Sequence, residues 1–136
     1  MNLQNRQDII NSLITYLPEI STPLVKLVTY LNGALEKDEA RNEETIGNIL
    51  MDLKHLVDSL TQLFKFMQES TLETGLEHEE ITLYKDFISN LTKGIKLMLD
   101  WMQDKNESEE KLKESVDMLF TAGQQILVLV NRITKD

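Results

Sequence analysis

Glu77-His78-Glu79-Glu80 is the densest run of metal-ligating or proton-moving side chains in this 136-residue sequence. A helical di-metal centre needs Glu-x-x-His pairs facing inward from two helices, with inward Glu from two more. Position 75 is Gly, so His78 closes no such pair. The same acids suit the first turn of a helix, at the positive end of its dipole. The run therefore reads as a helix start. Asp52 and His55 lie three apart on a polar face with Ser59 and read as a solvated pair, since no second Asp/Glu-x-x-His accompanies them. The absence of Cys excludes disulfides, thiolate zinc sites, iron–sulfur clusters and cysteine nucleophiles. Five Gly and two Pro form no phosphate-binding loop, and no nucleophile elbow or dinucleotide fingerprint occurs. The expectation is a protein without cofactor, metal or enzyme activity.

One pattern points to chemistry. Glu77-x-x-Glu80 and Glu114-x-x-Asp117 look like the acidic pairs of the all-α nucleotide pyrophosphohydrolases. That resemblance implies two helices presenting carboxylates to Mg²⁺, which in turn holds phosphate oxygens. It covers four residues and brings no Lys/Arg-rich phosphate cradle. Glu36-x-x-Glu39 and Glu107-x-x-Glu110 repeat the spacing in a chain with 23 acids. A Mg²⁺-dependent enzyme of this kind is the alternative to a non-enzymatic reading. A small-ligand or metal-binding bundle is another, with Tyr84 as the polar member of an apolar stripe.

The elements that would position these residues are helices. After Pro23 the chain has no proline, which helix interiors exclude. Three stretches repeat apolar or small residues at spacings of 4 and 3, the signature of one helical stripe. They are Ile46, Leu50, Leu53, Val57, Leu60, Phe64, Met67; then Ile81, Tyr84, Ile88, Leu91, Ile95, Met98, Met102; then Leu112, Val116, Leu119, Gly123, Ile126, Val130, Ile133. Asn42 reads as a cap. Thr74 with Glu77, and Asn106 with Glu109, read as capping boxes with short joints before them. In the first 40 residues, Pro18 reads as a helix end and Thr22-Pro23 as a new start. The expected fold is all-α: one domain over 1–136, an antiparallel up-and-down bundle of four rods and four to five helices, the first rod broken near Pro18–Pro23 or replaced by two separate helices.

Charge narrows the partners. Against 14 Lys+Arg stand 23 Asp+Glu, a formal charge of −9, which disfavours nucleic acid. The first eight residues form no signal sequence. The longest apolar run, residues 126–130, is far below the ~20 residues that span a bilayer. No membrane partner and a cytoplasmic location are expected.

Helices 77–103 and 107–133 carry more apolar surface than one stripe needs. Leu83, Phe87, Gly94, Leu97 and Trp101 form a second line on the former; Phe120 and Leu127 flank the stripe of the latter, and Val128 and Leu129 make residues 126–130 apolar on all sides. Leu83, Phe87, Leu97, Trp101, Phe120, Val128 and Leu129 are the candidate interaction surface, if that surplus is not core. Small size, acidity and helical class resemble bacterial export chaperones and adaptors. The functional expectation is a protein–protein interaction module binding another protein or a second copy of itself, a homodimer being the commonest form.

Overall fold

A computed structural model describes residues 1–37, 43–103 and 109–135. They form α1 (Leu3–Lys37), α2 (Glu43–Phe66), α3 (Glu69–Gly75), α4 (His78–Gln103) and α5 (Glu109–Thr134), and no strand occurs among them. The fold is an all-α helical bundle. Asn42 and Asn106 lie outside the described residues.

α1 is one helix of 35 residues, with Pro18 and Pro23 inside it. This corrects the expected break. Its buried residues Ile9, Leu13, Ile20, Leu24, Leu27 and Leu31 keep helical spacing across both prolines. Burying six such side chains is worth about 1.5–3 kcal/mol each. Each proline costs about 3 kcal/mol in a helix interior. The stripe outweighs the two breakers, so the helix runs on.

α1 and α5 occupy the middle. α1 packs against α2 and α5, and α5 packs against α4, while α2 and α4 make no extensive backbone contact among the described residues. Glu79 meets Arg132, Asn90 meets Gln125, and Gly94 meets Ser115. Ascending numbers on α4 pair with descending numbers on α5, so these two helices run in opposite directions. They approach closely at Gly94: a Cβ there would lie 2.9 Å from two Leu119 side-chain atoms. Ser115 Oγ donates to the Gly94 carbonyl across the same contact, at 2.8 Å.

Position in the bundle decides which stripes are buried. On central α5 the expected stripe is covered, with Leu112, Val116, Leu119, Ile126, Val130 and Ile133 all buried. On outer α2 the buried line is Ile49, Leu56, Leu60 and Leu63, continued by Met67 just past its end, while Leu50, Val57 and Phe64 of the expected stripe are exposed. An outer helix packed mainly on one neighbour buries one flank of a wide apolar face. On α4 the buried strip runs between the two expected lines: Tyr84, Leu91 and Met98 from one, Phe87, Gly94 and Trp101 from the other.

The joint between α2 and α4 holds the short helix α3, not the short turn expected. Thr74 lies inside α3 and does not cap α4. Its Oγ donates to the Ser70 carbonyl at 2.9 Å and accepts from Asn5 Nδ2 at 2.6 Å. The capping position belongs to Glu77, whose backbone N–H donates to Glu80 Oε1 at 2.8 Å. That is the reaching-back half of a capping box.

Candidate functional site

The acidic run at the start of α4 is built into a clasp. Arg6 reaches from α1 and donates from both terminal nitrogens to Glu80, at 2.7 Å and 3.0 Å. Arg6 also donates to the Gly75 carbonyl at 3.3 Å. The Glu80 side chain is 1% exposed. Burial by itself would push its carboxyl up. The Arg6 bonds, the Glu77 N–H and the nearby Arg132 outweigh that and hold it below the ordinary value. Arg132 of α5 pairs with Glu79 at 2.6 Å and lies 3.6 Å from Glu77. These carboxylates tie three helices together through guanidinium groups.

The other acidic pair sits elsewhere. Glu114 lies 3.8 Å from Lys93, fourteen residues along α4 from Glu79. At 1.5 Å per residue that is about 20 Å from the clasp. Magnesium holds its oxygens at about 2.1 Å, so the two pairs cannot share one ion. Among the described residues, no three His, Asp or Glu side chains converge as a metal site. Asp52 is buried, which corrects its expected solvation, while His55 is exposed. Both line a polar recess with Pro18, Glu19, Thr22, Pro23 and Lys26 of α1.

The candidate interaction surface divides. Phe87, Trp101 and Leu129 are buried, and Leu83 and Leu97 are half-buried. The second line on α4 is therefore core and its margin, not a free patch, because α5 lies against the flank that carries it. Phe120 and Val128 are exposed. Phe120 belongs to a surface that the sequence reading did not assemble.

That surface is a groove between α1 and α5, about 220 Å³ in volume. Leu24 and Leu119 form its floor with Gly123, and Val25, Val28, Phe120 and Leu127 form its walls. Val25 is 63% exposed and Phe120 56%. Gly123 keeps the groove open: a Cβ at this position would lie 3.3 Å from Leu24. Val128 points around the helix, outside the lining.

The rim is as informative as the lining. Ile14, Pro18, Thr22, Val25, Thr29 and Asn32 recur every three or four residues along the outer side of α1. Phe120, Gln124, Leu127 and Asn131 do the same along α5. All ten are exposed and none is charged. The chain is 27% charged, so about three charges are expected in ten positions. Residues 9–35 hold only Glu19 and Lys26, both lining the recess toward α2, and residues 118–131 hold none. The exposed apolar line on α2 is different. Lys54, Asp58 and Lys65, all exposed, flank it. These two runs, one nearly and one wholly without charge, were the signal in the sequence that would have pointed to α1 and α5.

No helix among the described residues is long and apolar enough to cross a membrane. Compared with family models, curated proteins and solved structures, the chain matches none.

Proposed function

We propose that this protein is a non-enzymatic interaction module that docks another polypeptide along the α1/α5 face. The single observation that carries this reading is an open apolar groove set in an exposed surface without charge. The cores of protein interfaces are depleted in charged residues and enriched in aromatic ones. Here Phe120 supplies the aromatic anchor, and Val25, Val28 and Leu127 supply the surrounding contact. The rest of the surface carries the net charge of −9, which keeps the protein soluble around its sticky face. Away from this face the same charge repels acidic surfaces, so docking must go through the uncharged patch. An adaptor or chaperone-like role in the cytoplasm is consistent with this arrangement.

Site-specific photo-crosslinking in cells tests the reading. A benzoyl-phenylalanine at position 120 replaces one exposed aromatic ring with another. It should give an adduct of discrete mass, whereas the same group at Lys85, on the solvated side of α4, should give none. Failure at position 120, or equal labelling at both, would overturn the docking reading.

The groove also suits a small apolar ligand, because cavities of about 150 Å³ already take benzene. Ligand-induced thermal stabilisation of the purified chain would support this second use. Stabilisation that persists in Gly123→Leu, which fills the groove, would place the ligand elsewhere.

A further inference from the structure

We infer that the occupant of the α1/α5 face is a second copy of this chain, the two copies meeting face to face about a two-fold axis. This inference rests on the docking reading above and names its partner.

Charge is the first argument. Two copies that each carry −9 repel one another, and in a two-fold contact every residue near the axis meets its own twin. A charged position there faces the same charge, at a cost of several kcal/mol where water is excluded. Self-association therefore demands a face from which charge has been removed. The ten exposed rim positions of α1 and α5 meet that demand. An acidic chain adapted to a basic partner would instead ring its groove with carboxylates. Around this groove Glu19 and Lys26 turn toward α2, and the middle of α5 has no carboxylate between Asp117 and the end of the helix.

Area is the second argument. From Ile14 to Asn32 the face is about 27 Å long, and two helices side by side are about 20 Å wide. The α5 half, from Phe120 to Asn131, is shorter, about 16 Å, so two such faces bury about 900 Å² together, the size of a weak, transient contact rather than a permanent one. That is the low end of the range, so the dimer should dissociate on dilution.

Shape is the third. The groove is bordered by its own protruding Phe120. A two-fold contact lets the exposed apolar ridge of each copy enter the groove of the other, so one surface supplies both knob and hole.

Sedimentation velocity on the full chain tests this, with circular dichroism alongside. Concentrations from about 1 μM to about 1 mM bracket the dissociation constants of interfaces this small. The wild type should pass from 15.7 kDa to twice that mass as concentration rises. The pair Val25→Glu/Phe120→Glu should stay monomeric with unchanged helix content, since both side chains are exposed. Val57→Glu, on the exposed line of α2, should dimerise like the wild type. A wild type that is monomeric throughout, or a dimer broken by Val57→Glu and not by the face pair, would overturn the inference. The photo-crosslink separates the two proposals. An adduct at position 120 of a mass other than twice the chain, with a monomeric wild type, refutes self-association and keeps the docking reading. The absence of any adduct removes both.

Discussion

Arg6→Met removes one side of the clasp and leaves Glu80 buried without its main partner. Methionine keeps the length and apolar stem of the arginine, so the change is mainly electrical. Breaking a buried pair by deleting one partner costs about 3–5 kcal/mol. Here Arg132 Nε lies 3.9 Å from Glu80 Oε2 and the Glu77 N–H remains in place, so the low end applies, about 3 kcal/mol. For a domain of this size that lowers Tm by roughly 10 °C. The pH dependence gives the sharper test. In the wild type the Glu80 carboxyl is held below its ordinary value of 4.5. An acid with a depressed folded pKa contributes stability above its unfolded value, and loses it as pH falls through the folded one. In Arg6→Met burial dominates and raises that pKa, so the penalty is full at pH 7 and relaxes as the carboxyl takes up a proton. Urea unfolding at a series of pH values should show a gap at pH 7 that narrows toward 4.5 and below. A gap under about 1 kcal/mol at pH 7, or one that does not change with pH, would refute this account of the clasp.

The double variant Arg6→Met/Glu80→Leu should recover most of the stability lost by Arg6→Met, because an apolar pair can replace a buried ion pair at little cost; urea midpoints decide. Gly94→Ala should destabilise by about 1–3 kcal/mol, since the overpacking against Leu119 exceeds the gain of ~1 kcal/mol in helix propensity; thermal unfolding reads the sign. Pro18→Ala should stabilise by about 1–3 kcal/mol, because Pro18 is exposed and the new N–H can reach the Ile14 carbonyl; a loss of stability would contradict a continuous α1. Nucleoside triphosphates with Mg²⁺ should be left intact in a phosphate-release assay, and turnover abolished by Glu77→Ala would reinstate the pyrophosphohydrolase.

Helix type and period were legible because a 3.6-residue repeat depends only on backbone geometry. The α5 stripe was legible in all but Gly123, since α1 and α4 cover that side of the helix, while Phe120, Leu127 and Val128 beside it stay exposed. The α2 and α4 stripes were read with the wrong centre. Leu50, Val57 and Phe64 satisfy the spacing as well as Ile49, Leu56 and Leu63 do, and only the neighbours decide between them. Local rules also misjudged Pro18 and Pro23, where tertiary burial overrides a strong breaker, and Thr74, which bonds to Asn5 rather than to the start of α4. Whether the surplus on α4 is core or surface stays open in the sequence, because a sequence carries no record of which helix lies beside which. The groove needed both α1 and α5, and Val25 and Phe120 are 95 residues apart.

The central placement of α1 sets an order of events in synthesis. Its apolar side is covered by α2 and α3 and, on the other flank, by α5, with Leu24 lying near Gly123, a separation of 99 residues. At about 5–20 residues per second, α5 leaves the ribosome roughly 5–20 s after α1. During that interval α1 has α2 on one flank and nothing on the other, whereas α4 and α5 meet almost as soon as both exist. Contacts between distant segments are also the slow ones to form. The nascent chain thus presents a charge-poor, half-covered helix for seconds before α5 closes its second flank.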